Sequence, residues 1–192
     1  MSKLSLSIKI ISILTLSFLL FSCNPLENDS DSSSFIVVES IVGKDISGND
    51  STVVFSDVSN GLPDFATATL RAAMLDPNPI NGVSQYSDIM LTRYVVTYTR
   101  SDGASTEDSE VPYHFEGSLS NLLPVGSSVS LPLMIVKETA KAQPPLAALE
   151  DTTDILECTI RIDFYGHDLR NKNVTQKAFI TIRFGDFPDV TP

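Results

Sequence analysis

Apolar and polar residues alternate with a period of two along most of the chain. In residues 66–74 the even positions hold only Ala, Leu and Met, whereas Thr or Arg occupies three of the positions between them. Residues 93–100 and 129–136 alternate in the same way and are rich in β-branched and aromatic side chains. Such runs are typical of strands that bury one face. The pattern therefore predicts a strand in each of the three segments.

Three further segments predict strands because apolar β-branched or aromatic residues recur in them: 35–42, 51–58 and 111–115. The alternation is less regular in the first two. In the third, Val111, Tyr113 and Phe115 are expected on the buried face, and His114 on the polar face.

The clearest pair of strands closes the chain, in residues 157–165 and 177–184. Their inward positions all have even numbers: Cys158, Ile160, Ile162, Phe164, Ala178, Ile180, Ile182 and Phe184. Residues 166–173 between them are rich in Gly, Asp and Asn, which favour turns. We therefore predict a β-hairpin with a long loop.

Gly, Pro, Asn and Asp cluster between the other predicted strands, where they set the dihedral angles of turns. Pro144 and Pro145 exclude a strand from the longer connection at residues 141–151. No amphipathic pattern predicts a helix longer than a few residues. The expected fold class is all-β, an antiparallel sandwich of about seven to eight strands formed by residues 35–192.

Two segments resemble those of known domain families. Residues 93–103 (RYVVTYTRSDG) resemble a strand and its following turn in fibronectin type III-like domains. Residues 164–182 are similar to the last hairpin of bacterial immunoglobulin-like domains. The resemblance implies an immunoglobulin-like sandwich, and it assigns no functional residue.

The amino terminus has the pattern of a signal peptide. Lys3 and Lys9 are accompanied by an apolar run at residues 10–21, which is too short for a comfortable membrane span. The run ends in Leu-Phe-Ser-Cys, which resembles the lipobox of bacterial lipoproteins. The resemblance implies that residues 1–22 are removed and that Cys23 carries the lipid. The alternative is an ordinary signal peptide followed by a chance cysteine.

Residues 24–34 (NPLENDSDSSS) are polar and acidic and contain one large apolar side chain. Such a segment buries too little to order itself, so residues 23–34 are expected to form a lipidated flexible tether. Asn24, rather than Asp, follows the cysteine, and in the resembled lipoproteins this favours the outer membrane. The expected location is therefore the bacterial cell envelope, with the domain facing the periplasm or the cell surface.

The charge of the chain excludes one class of partner. The formal net charge is −11, with 24 acidic and 13 basic residues. Nucleic-acid binding needs clustered Lys and Arg, so no nucleic-acid partner is expected. The expected partners are the membrane, through the amino-terminal lipid, and a protein of the envelope.

Catalytic motifs are missing from the sequence. It contains no Gly-x-Ser-x-Gly, no phosphate-binding glycine loop and no His-Glu-x-x-His. His114 is expected on the surface, and His167 adjoins Asp168 in a loop without any nucleophile to activate. We therefore expect a protein that is not an enzyme.

Cys158 is expected to be a small buried hydrophobe, because it lies on the apolar face of its strand and Cys23 is assigned to the lipid. The alternative is a partly exposed thiol that links two chains.

Acidic loops are the one feature that resembles a metal site. Calcium prefers several oxygen ligands on a bent loop. One cluster comprises Asp102, Glu107, Asp108 and Glu110; the other, around the last hairpin loop, comprises Asp163, Asp168, Asn171 and Asn173. Turn formation and solubility explain both clusters more simply, so no cofactor is expected beyond a possible role for calcium in the second cluster.

The leading hypothesis is a lipid-anchored envelope protein whose non-enzymatic sandwich serves protein interaction or a structural role. Tyr86 and residues 144–146 are candidate contact residues. A carbohydrate- or small-ligand-binding module is the alternative, although the chain has no Trp to stack on a sugar. An envelope hydrolase that uses two carboxylates is a weaker hypothesis.

Overall fold

The computed structural model describes residues 32–80 and 82–187. The predicted signal peptide, the lipidation of Cys23 and the tether up to residue 31 lie outside the described residues. No helix in the described part of the chain has both the length and the apolar character needed to cross a bilayer.

The described residues form nine strands, slightly more than the sequence predicts. In chain order they are β1 (Ser34–Lys44), β2 (Asp50–Ser51), β3 (Val53–Asp57), β4 (Asp64–Met74), β5 (Ile89–Arg100), β6 (Phe115–Leu123), β7 (Ser128–Val136), β8 (Leu156–Asp168) and β9 (Asn173–Gly185). One four-residue helix, α1 (Glu138–Lys141), and two short 3₁₀ turns, Gln85–Ser87 and Leu146–Leu149, complete the elements.

The strands form two sheets, ordered β2-β1-β4-β7 and β3-β9-β8-β5-β6. The buried side chains of the two sheets form one continuous core, as an all-β sandwich requires. Alternate inward positions of β4, β5, β8 and β9 are buried, as their periodicity predicts.

One strand pair departs from the predicted antiparallel arrangement. β3 pairs in parallel with β9, from Val53 opposite Thr181 to Asp57 opposite Gly185. After β1 the short strand β2 still pairs antiparallel with it in the smaller sheet, and the chain then crosses to the edge of the larger sheet as β3. A Cβ atom on Gly43 would clash with a methyl group of Val54, so the two segments can approach this closely only because residue 43 is glycine.

The predicted strand at residues 111–115 is wrong in its bounds and in one orientation. Val111 and Phe115 are buried as expected, but Tyr113 is half exposed and β6 begins only at Phe115. Pro112 has no backbone N–H to donate, which explains why regular pairing starts after it. The rest of β6 was missed because its Ser, Gly and Asn residues carry no strand signal.

The last hairpin has a shorter loop than predicted. β8 and β9 pair as far as His167 opposite Asn173, which leaves only residues 169–172 outside both strands. The Asp168 carboxylate closes this turn, because its Oδ1 atom accepts hydrogen bonds from the backbone N–H groups of Arg170 and Lys172, both at 2.9 Å. Asn171 adopts a positive φ of 64°, which Asn tolerates better than most residues.

The two ends of the sandwich differ in which loops they contain. Ser34 pairs with Met74, and Ile89 pairs with Asp168, so β1 begins where β4 and β8 end. We call this the entry end; it carries the loops 75–88, 124–127 and 169–172. The opposite, distal end carries the loops 58–63, 101–114 and 137–155.

Buried serines fix the chain at the entry end. Ser32 donates to Oδ2 of Asp168 at 2.9 Å, and the Ser34 hydroxyl donates to the carbonyl of Ser87 at 2.6 Å. All four residues are buried. Residues 32 and 34, which the sequence places in the tether, are therefore buried against the domain.

Cys158 is fully buried, as predicted, and burial raises the pKa of its thiol to about 12. Near pH 8 the reactive thiolate is then about one part in ten thousand, so we expect native Cys158 to resist alkylation. A Cys23→Ser variant makes Cys158 the single thiol, and labelling by iodoacetamide before and after unfolding measures its protection. Rapid labelling of the native chain, or dimers on non-reducing gels, would favour the exposed-thiol alternative.

Candidate binding groove at the distal end

A groove of about 170 Å³ opens at the distal end, between the segment that leads into β6 and helix α1. Its walls are formed by Pro112, Tyr113, His114, Phe115, Lys137, Thr139, Ala140, Gln143 and Pro144. The groove exists because Pro112 delays β6, which leaves residues 112–114 free to bend over the end of the sheet.

One wall of the groove pairs an imidazole with a carboxylate. Nδ1 of His114 lies 2.6 Å from Oε1 of Glu107, and the same oxygen accepts the backbone N–H of His114 at 3.2 Å. The side-chain hydrogen bond from His114 lowers the pKa of the Glu107 carboxyl. His114 is exposed, as predicted, and its imidazole is hydrogen-bonded to Glu107.

Lys137 also lines the groove. Its Nζ atom lies 4.8 Å from the centroid of the Phe115 ring, within the range of a cation–π interaction. Lys137 also borders a second groove, of about 320 Å³, whose other walls are Pro63, Met134, Glu138 and Thr139. The two grooves are therefore neighbours that share the Lys137 and Thr139 side chains.

A buried ion pair supports helix α1 beneath the grooves. Nζ of Lys141 donates to the carbonyl of Asp57 at 2.7 Å and to Oδ1 of Asn60 at 3.0 Å, and lies 3.2 Å from Oδ2 of Asp64. Ser56 donates to the same Asp64 oxygen at 2.6 Å. The five groups satisfy one another, so α1 is tied to the loop between β3 and β4.

Desolvation dominates the electrostatics of this ion pair. Burial raises the pKa of the Asp64 carboxyl, while the hydrogen bond from Ser56 and the charge of Lys141 oppose that rise. Ser56 is fully buried and its hydroxyl donates to Asp64. Because the Ser56 oxygen is buried, we interpret the cluster as a structural support for α1 and not as a group that contacts a substrate.

Two tyrosines fix the end of β7 from across the core. The hydroxyl of Tyr98 donates to the carbonyl of Ile135 at 2.6 Å, and that of Tyr94 donates to the carbonyl of Met134 at 3.1 Å. Burial raises the pKa of both phenols, so both remain neutral donors. Lys137 thus follows a strand end that is held to the other sheet.

The groove continues into a free sheet edge. In the described part of the chain β6 pairs only with β5, and its nine residues include no proline. The edge strand β7 of the other sheet has Pro132 at its centre, which weakens it as a pairing surface. Ser118 and Ser120 are exposed along β6.

The structure separates the contact residues suggested by the sequence. Tyr86 is exposed but lies at the entry end, whereas residues 144–146 lie at the distal end. Leu146 is fully buried against the core, so its predicted role in an exposed contact is wrong. Pro144 does reach the groove wall.

The calcium candidates are not brought together as one set of ligands. Oδ2 of Asp163 accepts from Nε of Arg161 at 2.9 Å, and both oxygens of the buried Asp168 accept hydrogen bonds from the chain. The two residues lie five positions apart on β8, where an odd spacing places side chains on opposite faces. Asn171 and Asn173 are exposed near the turn.

The first acidic cluster is dispersed in the same way. Asp102 pairs with Arg100 at 2.6 Å and Glu107 with His114, while Glu110 accepts the N–H of Thr106 at 2.8 Å. Hydrogen bonds from the Thr106 side chain and then its backbone lower the pKa of Glu110. Among residues 32–80 and 82–187 no three His, Cys, Asp or Glu side chains are grouped as a metal site. Calcium binding stays a prediction.

Sequence reasoning missed Lys137 and the ion pair of Lys141 with Asp64. No local sequence pattern indicates this pairing, because Asp64 and Lys141 are far apart along the chain. The proline before Tyr113 was the one available signal for the groove, because it ends strand pairing at that point.

We expect Lys141→Met to cost about 3 kcal/mol of unfolding free energy at neutral pH, the lower end for a buried pair, because it leaves the Asp64 carboxylate, which is 18% exposed, without its cation. The Asp64 pKa is raised in the folded state, so the penalty on its charged form is present above that pKa and is relieved as the pH falls through it. The deficit should therefore shrink in acid. Urea unfolding at several pH values measures it.

Lys44→Met is the matched control, because Lys44 forms an ion pair with Asp50 at 2.7 Å on the exposed surface. Its cost should stay within about 1 kcal/mol. Equal costs for the two variants, or a Lys141→Met deficit independent of pH, would contradict the assignment.

Comparison with known proteins adds little to this geometry. No protein-family model matches the chain, and no curated protein matches it in sequence. The solved structure of Northeast Structural Genomics Consortium target SoR45 is similar, with 11% identity over 84% of this chain and 92% of that chain and a TM-score of 0.35. A similarity at this TM-score supports no inference about fold family or function.

Proposed function

We propose that this chain is a lipid-anchored protein of the bacterial cell envelope whose immunoglobulin-like sandwich binds a partner protein and catalyses no reaction. The observation that carries the binding role is the free edge of β6, which runs into the groove beside Tyr113 and Lys137. The anchor rests on the lipobox at Cys23.

The immunoglobulin-like assignment is supported by strand order. β1, β4 and β7 occupy the places of strands A, B and E, while β9, β8, β5 and β6 occupy those of G, F, C and C′. The crossing of β3 to a parallel position beside β9 agrees with a first strand shared between the two sheets.

Strand addition is the binding mode that suits this edge. An extended segment of the partner pairs its backbone with β6, and main-chain hydrogen bonds supply affinity. One side chain of that segment then enters the groove, where the Tyr113 ring and the Lys137 stem offer apolar contact. The groove holds about one side chain, so it supplies specificity at a single position.

The outer membrane is the proposed location. The lipid on Cys23 provides the anchor, and two or more acyl chains hold a protein stably where one chain is marginal. Asn24 after the cysteine supports the outer rather than the inner membrane, by resemblance to other lipoproteins.

Labelling with radioactive palmitate tests the anchor. We expect the full chain expressed in a Gram-negative bacterium to incorporate label, and Cys23→Ala to lose it, because Cys23 is the acceptor. Cys158→Ala, which changes the only other cysteine, should keep the label. Unchanged labelling of Cys23→Ala would refute the anchor.

Site-specific photo-crosslinking in intact cells tests the binding edge. A photoreactive residue at Ser118 on β6 should yield discrete protein adducts, and Tyr113→Ala in the same chain should reduce them, because the groove residue contributes contacts. The control position is Thr159, which is exposed on β8 but has strands on both sides. Equal adducts from both positions would show non-specific contact and contradict strand addition.

A further inference from the structure

The entry end exposes six large apolar side chains. They come from the loop 75–88, the end of β6 and the loop 169–172: Leu75, Ile80, Val83, Tyr86, Leu122 and Leu169. We call these six the apolar cap. Ile80 is 101% exposed and Leu75 is 63% exposed. A cluster of this kind marks a surface that contacts another protein or a membrane.

Hydrogen bonds hold the parts of the cap together. The backbone N–H of Leu169 donates to the carbonyl of Tyr86 at 3.2 Å, and that of Leu75 donates to the carbonyl of Ser33 at 2.9 Å. The Ser33 and Ser87 hydroxyls are 3.1 Å apart. The chain that precedes Ser32 therefore joins the domain at the cap itself.

The length of the preceding chain restricts what the cap can meet. Eight residues, 24–31, separate Cys23 from Ser32. At full extension they span at most about 30 Å. β8 has 13 residues and runs from the distal end to the entry end, so the distal end lies roughly 40 Å from the cap. The lipid on Cys23 therefore stays within about 30 Å of the cap, and the distal groove meets the bilayer only if the domain lies flat on it.

The chemistry of the cap suits a phospholipid surface. Arg170 and Lys172 lie in the same loop as Leu169, although the chain as a whole is acidic. Asp76 and Asp88 also lie at this end, and each accepts a backbone N–H, from Asn78 and from Val125 respectively. Apolar side chains, a tyrosine and adjacent cations are the groups that settle at a membrane interface.

We propose that the apolar cap sits in the phospholipid interface and that it orients the domain, with the distal groove and the start of β6 pointing away from the bilayer. This inference rests on the proposed lipid anchor. The lipid confines the domain near the surface, and burial of the cap then selects one orientation from those that the tether allows.

Tryptophan fluorescence tests the orientation, because the chain contains no Trp and an introduced one is the sole reporter. The lipidated mature chain with Ile80→Trp is reconstituted in vesicles of phosphatidylethanolamine and phosphatidylglycerol that carry brominated acyl chains. We expect its emission to shift to the blue and to be quenched by bromine. Leu62→Trp, at an exposed distal position, is the matched control and should remain unquenched.

Because Trp itself prefers membrane interfaces, a second reporter position and a cap variant serve as controls. Tyr86→Trp should also be quenched, and quenching should fall when Leu75, Ile80 and Val83 are all changed to Ser. In the unlipidated Cys23→Ser chain the same triple change should weaken vesicle binding at least about tenfold. All three residues are exposed, so equal melting temperatures verify that the fold is intact.

The outcomes distinguish a failure of the cap proposal from a failure of the anchor proposal. A chain that floats with vesicles while its Ile80→Trp reporter behaves like Leu62→Trp would overturn the cap proposal and leave the anchor standing. A blue shift without bromine quenching would mean that a second copy or another protein covers the cap, which also overturns it. If the chain fails to float, the anchor is refuted, and the affinity of the Cys23→Ser chain for vesicles then decides on the cap.

Discussion

The buried carboxylate of Asp168 connects the features on which both proposals rest. Its Oδ1 atom closes the turn between β8 and β9, which sets the register of the central hairpin. Its Oδ2 atom accepts the hydroxyl of Ser32 and so fixes the point where the chain enters the domain. A one-residue slip would turn every inward side chain of β9 outward. The same carboxylate therefore links the turn between β8 and β9 to Ser32, the first residue that the structure describes.

Most of the fold was predictable because strand patterning is local. The inward residues that the sequence predicts for β8 and β9, at even positions from 158 to 164 and from 178 to 184, and the inward residues 66–72 of β4 and 94–98 of β5 are buried. Prediction was wrong where one residue outweighed the pattern. Pro112 removes a donor and leaves Tyr113 outside the sheet, and the crossing of β3 depends on the close approach of Gly43 to Val54. Neither effect appears in hydrophobicity alone.

The candidate site was much less predictable, since its parts come from distant segments. Lys141 and Asp64 look like ordinary surface charges in the sequence and become a buried pair only when α1 packs over the loop between β3 and β4. The acidic residues around the last loop looked like a set of calcium ligands. Their pairing in space follows the pleat, which sends Asp163 and Asp168 to opposite faces. Counting charged residues in a loop therefore says little about which of them meet.

The two proposed surfaces lie at opposite ends of the domain, so a partner and a bilayer can be bound at the same time. A partner that pairs with β6 must approach along the sheet edge, and a bilayer at the distal end would block the groove. Seating the apolar cap in the interface removes that conflict, because the groove then lies a full strand length from the lipid. The buried ion pair and the two tyrosine hydroxyls hold Lys137 and α1 in place at that exposed end. Under the two proposals, the distal groove stays accessible to the partner while the apolar entry end faces the bilayer.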